Sequence, residues 1–172
     1  TTMITIDEYD ANLGYHSSVV PLDIRLGITS ANSTKQLRWG ILATGKVAHD
    51  FTQVLKFLRG IRNSQHDIVA VGSRTIDRAQ SFARLHNIPM AHGSYQELCN
   101  DPNVDIVYIA SLHPDHKIHA EMALNCGKHV LVEKPMTMKA EDAQYLYDLG
   151  REKQLFVGEG MWTRFFPSVE WT

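Results

Sequence analysis

Cysteine is scarce in this chain. The two present, Cys99 and Cys126, sit 27 residues apart without a CxxC pair or a partner cluster of histidines at metal-ligand spacing. Neither a metal site nor an exported, disulfide-dense fold is indicated, and a reducing, cytoplasmic setting is expected. Long apolar runs are missing too. No segment approaches the roughly 18–20 consecutive apolar residues of a membrane span, and the N-terminal stretch lacks a basic-then-apolar signal pattern. Nor does charge of one sign predominate. With 17 Lys and Arg against 19 Asp and Glu, the formal charge is −2, which removes any global pull toward nucleic acid or an anionic membrane. An anion site has to be local. Internal repeats and low-complexity tracts are also missing.

What is there suits one globular domain: 172 residues, 44% of them hydrophobic, bury one sizeable core but not two. Residues 1–36 are polar and mixed, with Ser17, Ser18, Pro21, Ser30, Asn32 and Ser33 breaking up short apolar stretches. They are expected to form a disordered or non-native leader, and Thr2-Met3-Ile4-Thr5 resembles the start of bacterial β-galactosidase. At Leu37 the pattern changes. Residues 37–43 read as a strand that meets a small-residue turn and then a long amphipathic stretch. Residues 68–72 read as a second strand, and Ile76–His86 as a helix with Ala79, Phe82, Ala83 and His86 on one face. The alternation continues through a brief segment at 88–91, a short helix near 95–99, the apolar run 104–110, and a helix at 116–126 stopped by Gly127. A strand at 129–132, a helix at 140–153 and a last strand at 155–158 complete it. Such alternation specifies an α/β fold, a doubly wound parallel sheet of the Rossmann type, because right-handed crossovers are the common solution. Residues 37–160 are assigned to it. Residues 161–172 are aromatic-rich and break the pattern, with Trp162, Phe165, Phe166 and Trp171 left exposed on a lone domain. They are expected to begin a second, α+β domain that is missing from the chain.

The first strand-to-helix turn, Ala43-Thr44-Gly45-Lys46-Val47-Ala48, fits G-x-G-x-x-G/A with alanine in place of the first glycine. The backbone must approach a pyrophosphate where Gly45 stands, and Ala48 lets the helix lie close to its strand. Amides of the helix N-terminus then face the phosphates, so Ala43, Thr44, Gly45, Lys46 and Val47 are expected to contact a cofactor. A glycine at such a turn is in many proteins only a cap; the βαβ context around it favours the nucleotide. The second strand's tip separates the nicotinamide cofactors, because a carboxylate there binds the ribose 2′-hydroxyl and repels a 2′-phosphate. It reads Gly72-Ser73-Arg74-Thr75, without an acid, and Arg74 with Arg78 one helical turn later sets two guanidinium groups near a dianionic phosphate. Ser73, Arg74 and Arg78 thus point to NADP over NAD, and the missing acid argues against S-adenosylmethionine. The bland alternative is that both arginines are solvated surface residues.

Two further strand ends carry unusual chemistry: Ser111-Leu112-His113-Pro114-Asp115-His116 and Val132-Glu133-Lys134-Pro135. Ligands of an open parallel sheet bind at its carboxyl edge, so a lysine leaving a buried strand there is placed to reach the nicotinamide ribose and a substrate hydroxyl. Lys134 is the expected catalytic residue. Partial desolvation would lower its pKa toward neutrality and let it take part in proton transfer. Glu133 is expected to position it or to contact the cofactor, and Ser111, His113 and His116 to line the same crevice. The histidine spacing does not amount to a metal site.

Glu133-Lys134-Pro135, with Trp39-Gly40-Ile41-Leu42-Ala43-Thr44-Gly45 and Gly127-Lys128-His129-Val130-Leu131-Val132, resembles the glucose–fructose oxidoreductase and inositol dehydrogenase family over residues 37–167. Met161-Trp162-Thr163-Arg164-Phe165-Phe166-Pro167 and the two-arginine tip look most like members that oxidise trans-dihydrodiols or D-xylose. The resemblance implies an NADP-dependent dehydrogenase that transfers hydride to NADP+ from a trans-dihydrodiol, yielding a catechol, or from an aldose at its anomeric carbon. It implies Lys134 as the catalytic lysine, Arg74 and Arg78 as 2′-phosphate contacts, His113 and His116 beside the nicotinamide, and Trp162 and Arg164 on the substrate side. A cis peptide before Pro135 and a homodimer for full-length relatives are implied as well. The chain departs from the pattern in Ala43, in its leader, and in lacking the second domain that supplies most of the substrate pocket, an acid–base partner for the lysine and the dimer interface. A small-molecule substrate is expected, with neither nucleic acid nor membrane as partner, and little turnover from this chain alone. The rival expectation is a truncated nucleotide-binding isoform without catalysis.

Overall fold

The computed structural model describes residues 36–62 and 66–165, the side chains of 59–62 and 164–165 excepted. The expectations for residues 1–35 and 166–172 lie outside the described residues. The chain divides into two units. One, residues 34–161, holds the sheet; the described part of the other is a 3-10 turn at Trp162–Phe165.

The strands of the first unit are β1 (Leu37–Leu42), β2 (His66–Gly72), β3 (Met90–His92), β4 (Ile106–Ile109), β5 (His129–Glu133) and β6 (Val157–Gly160). Its helices are α1 (Lys46–Arg62), α2 (Ile76–His86), α3 (Tyr95–Asn100), α4 (His116–Asn125) and α5 (Ala140–Glu152). All strand pairs are parallel, in the order β3-β2-β1-β4-β5-β6. This is the doubly wound Rossmann order, and the direction of winding reverses between β1 and β4, where a crevice opens at the carboxyl edge.

Strand alternation sorts the core onto two faces. Trp39, Ile41, Ile106 and Tyr108 pack with Ala48, Leu55, Phe82 and Ala83 of α1 and α2. Leu42, Val107, Ile109, Val130 and Val132 pack with Leu98, Ala120, Ala123, Leu124 and Leu146 of α3, α4 and α5. Every residue of β4 is buried, and at roughly 1.5–3 kcal/mol for each large apolar side chain this strand belongs in the middle of the sheet. Close packing has a glycine requirement at Gly72, where a Cβ would stand 2.8 Å from Leu98 Cβ; glycine lets α3 lie against the end of β2.

Local signals set the helix ends. Ser94 Oγ accepts from Glu97 N at 3.1 Å while Glu97 Oε2 accepts from Gly93 N at 2.9 Å, a capping exchange written in Ser94-x-x-Glu97. Asn87 at φ 47° closes α2, and Gly127 at φ 74° follows α4. Buried Lys128 donates to the carbonyls of Asp101 and Val104 at 2.7 and 2.8 Å, fastening the approach to β4.

The α/β class, the helix at Ile76–His86 and its four buried residues agree with expectation. Some strand limits move. The segment expected at 88–91 is strand only over Met90–His92, and the run 104–110 only over Ile106–Ile109. The last strand begins at Val157 because Leu155 N still donates to Gly150 O at 2.8 Å and Phe156 N to His129 Nδ1 at 2.9 Å.

Candidate functional site

The cleft at the carboxyl edge encloses about 410 Å³. Its lining includes Ala43, Thr44, Gly45, Ser73, Arg74, Arg78 and Ser111, all expected from the sequence, together with Tyr95, Ala110, Leu112, Asp115 and His119. Backbone bonds prolong the sheet by one residue into this cleft: Ala43 N to Gly72 O at 2.9 Å, Ser73 N to His92 O at 3.2 Å, and Ala110 N to Leu42 O at 3.0 Å. The turns are therefore held by the sheet. Ala43 takes φ 81°, a left-handed conformation that costs an L-residue roughly 1–2 kcal/mol and suits glycine. The first fingerprint position thus keeps the glycine conformation without the glycine.

Gly45 has the opposite character. A Cβ added there meets nothing within 4 Å, so the missing side chain leaves open space at the start of α1. The helical ladder begins with His49 N to Gly45 O at 3.1 Å, and amides ahead of it have no intrahelical partner. Open space beside unpaired amides is a cradle for an anion. Lys46 and Val47 head the same helix but are exposed and do not line the cleft.

The β2 tip contributes buried Ser73, whose hydroxyl lies 3.5 Å from that of Thr44, and Arg74, and the first turn of α2 adds Arg78. Their field reaches across the cleft. Burial pushes the Tyr95 phenol up, and Arg74 and Arg78 pull it back down against Asp115. An anionic dinucleotide fits this set: a bulk-free approach at Gly45, Arg74 just after β2 with Arg78 in the first turn of α2, and no acid among Gly72 to Thr75, Asp77 being the first acid, inside α2.

Sequence reasoning missed Tyr95 and His119. His119 Nδ1 lies 2.8 Å from Ser111 Oγ, and its ring meets Tyr95 edge-on at 4.7 Å between centroids. Burial holds the His119 pKa below the usual histidine value, with Asp115 opposing. The residue expected there, His116, is 1% exposed instead, with Nδ1 2.8 Å from Pro135 O and Nε2 3.0 Å from Ser111 O. Both ring nitrogens are engaged by backbone, so His116 ties the turn after β4 to the turn after β5 and has none left for a cofactor. His113 sits exposed on the 3-10 turn His113–Asp115 and does not line the cleft.

Beyond β5 the chain turns through a cis Lys134–Pro135 peptide. Glu133 Oε1 accepts from Tyr108 Oη at 2.6 Å, and Glu133 Oε2 from Lys134 N at 3.1 Å; Glu159 Oε1 accepts from Met136 N at 2.8 Å. The Lys134 side chain is exposed. The partial desolvation expected of it is not supplied by the described residues, because the lysine projects from the sheet edge, and neither Glu133 nor Lys134 lines the cleft. In the second unit Trp162 is mostly exposed, and the Arg164 side chain lies outside the described residues. Among the described residues there is no cluster of three potential metal ligands, and no helix is long and apolar enough to cross a membrane.

Comparison with known proteins agrees with this fold. Residues 37–161 match the GFO/IDH/MocA model, described as an oxidoreductase family with an NAD-binding Rossmann fold. The chain is 48% identical over 134 residues to trans-1,2-dihydrobenzene-1,2-diol dehydrogenase of Sus scrofa and 45% identical over 134 residues to that of Homo sapiens. Each alignment covers 78% of this chain but 39% of the relative, so the chain spans about two fifths of their length. Among solved structures, a 3-ketoreductase from Actinomadura kijaniata in complex with TDP-benzene and NADP superposes with TM-score 0.71 at 27% identity, over 78% of this chain and 41% of that one. A biliverdin reductase from Synechocystis in complex with biliverdin and NADP+ superposes with TM-score 0.61 at 31% identity, over 72% and 37%.

Proposed function

We propose, because the chain belongs to the GFO/IDH/MocA oxidoreductase family, that its sheet domain is the NADP-holding part of a dehydrogenase oxidising a trans-dihydrodiol or an aldose such as D-xylose. The observation that carries this reading is the meeting, in one cleft, of the open cradle at Gly45 with Arg74, on a strand tip without an acid, and Arg78 in the first turn of α2. Two guanidinium groups suit a 2′-phosphate dianion, for which planar charge-assisted pairs are the strong contacts. The solved relatives with NADP and NADP+ support the same cofactor, and the curated relatives' name supports the dihydrodiol.

Bound in the cleft, NADP+ supplies a hydride acceptor. The chain's own residues do the rest. Gly45 and the α1 amides bind the pyrophosphate, Arg74 and Arg78 hold the 2′-phosphate, and His119 with Ser111 and Tyr95 forms a fixed wall. Lys134 Nζ, in its neutral amine form, takes the proton of the substrate hydroxyl as the carbinol C–H bond gives up hydride; the carbonyl so formed tautomerises to a catechol in the dihydrodiol case. Free Cys99 and Cys126 suit a reducing, cytoplasmic compartment, and a homodimer, as implied for full-length relatives, is part of the same reading.

The exposure of Lys134 favours a second reading for the 172-residue chain: it holds the dinucleotide without turning over. The test is incubation of the chain with NADP+ or NAD+ and either trans-1,2-dihydrobenzene-1,2-diol or D-xylose, following cofactor reduction by absorbance. Reduction of NADP+ supports the dehydrogenase reading. NADPH binding without turnover supports the second, and reduction of NAD+ alone overturns the cofactor assignment.

A further inference from the structure

We infer that Tyr108 and Glu159 are positioning residues for the Lys134 turn, acting on its backbone from the two strands that flank β5. The inference rests on the reading of Lys134 as the proton-transferring group. Residues 134–136 lie just past the end of β5, where the ladder no longer supplies partners, and backbone groups released from a sheet need others. Lys134 N donates to Glu133 Oε2, His116 holds Pro135 O, and Met136 N donates to Glu159 Oε1.

On the β4 side the Glu133 carboxylate is itself oriented. Tyr108 donates to its other oxygen at 2.6 Å, and the Tyr108 ring is 1% exposed and stacked on Phe51 of α1, with centroids 3.8 Å apart and planes 17° from parallel. A ring so packed cannot swing, so its hydroxyl fixes one carboxylate oxygen and directs the other at Lys134 N. Burial and the Glu133 charge push the phenol's ionisation far above neutrality, so it remains a donor. On the β6 side Glu159 reaches Met136 directly. With the Lys134 side chain exposed, the direction of its Cα–Cβ bond is what the protein can fix, and it fixes that through the backbone on both sides.

The test is amide hydrogen exchange by NMR on the full 172-residue chain, with Val130 and Val132 as sheet references. Tyr108→Phe frees the Glu133 carboxylate to turn away and is expected to speed exchange at Lys134 about tenfold, a change of about 1.4 kcal/mol, without changing Val130 or Val132. Phe51→Leu, which keeps the hydroxyl but loosens the ring that aims it, is expected to speed exchange at Lys134 by less than Tyr108→Phe does, again without changing Val130 or Val132. Glu159→Ala exposes the Met136 amide, and Glu159→Gln, whose amide oxygen still accepts, restores it. Unchanged Lys134 exchange in Tyr108→Phe, equal acceleration at Val130 and Val132, or failure of Glu159→Gln to rescue Met136 each overturns the inference. The exchange needs no turnover, whereas Lys134→Met assayed for NADP+ reduction tests the catalytic reading by itself, so the two failures are distinguishable.

Discussion

Ala43 donates its amide to Gly72 O at 2.9 Å while its own φ stands at 81°. The first fingerprint residue is therefore locked to the end of β2 in a conformation that favours glycine. Ala43→Gly relieves roughly 1–2 kcal/mol of left-handed strain but loses a partly offsetting 0.5–1 kcal/mol or so to chain entropy, so its urea midpoint is expected to lie close to the parent's. Ala43→Val puts a β-branched residue at positive φ and is expected to cost about 2 kcal/mol or more. A valine variant as stable as the parent would contradict this account of the turn.

His116 and His113 separate a structural role from a site role. His116→Ala removes a buried ring whose nitrogens lie against two carbonyls, Pro135 O and Ser111 O, to one of which the neutral ring donates, and is expected to destabilise the domain by about 1–3 kcal/mol in urea unfolding. Exposed His113→Ala stays within about 0.5 kcal/mol. Equal effects would mean that His116 does not tie the two turns together.

Stability is expected to fall on mild acidification. His86 closes α2 in the core, with His49 Nδ1 2.9 Å from its Nε2 and the Lys56 ammonium on its carbonyl. Burial, then Lys56 and His49, hold its pKa below the ordinary histidine value; burial lowers His66 and His119 as well. As pH drops below about 6.5 the unfolded chain binds protons that the folded one resists, so stability present at higher pH is lost through the window from there down to the folded pKa values. Urea midpoints measured from pH 8 to pH 5 should stay flat and then decline, and His86→Gln should shallow the decline. A decline of unchanged slope in that variant would remove His86 from the explanation.

Much of the fold was legible from periodicity, because α2 carries its apolar face at regular spacing and β4 is apolar throughout. The start of β6 was not, because it depends on Phe156 N meeting His129 across the sheet. Arg74 and Arg78 were readable from the tip Gly72-Ser73-Arg74-Thr75, which carries no acid, although Asp77 stands next to Arg78 in the helix that follows. His119 was missed although a signal existed: His116, Ala120, Ala123 and Leu124 follow the spacing of one buried helix face, which consigns His116 to the core and leaves His119 on the flank. Tyr95 had no such signal, since its part in the cleft arises from where α3 packs rather than from its neighbours in sequence. The same holds for the bond from Tyr108 to Glu133, which joins residues on adjacent strands.

Lys134→Met removes the proposed proton acceptor and leaves the cleft lining untouched. NADP+ reduction with a trans-dihydrodiol is expected to fall by a factor on the order of 10² to 10⁴, with NADPH affinity within about twofold of the parent. Turnover that survives the substitution would transfer the proton-transfer role to another group.

The most direct test of the account is a fluorescence titration of the chain with NADPH and NADH, repeated with Arg74→Ala and Arg78→Ala. The account predicts tighter binding of NADPH, with each substitution weakening it about tenfold or more, as expected for a lost charge-assisted contact, while NADH affinity barely changes. Equal affinity for the two cofactors in the parent, or an NADPH preference that survives both substitutions, would contradict it.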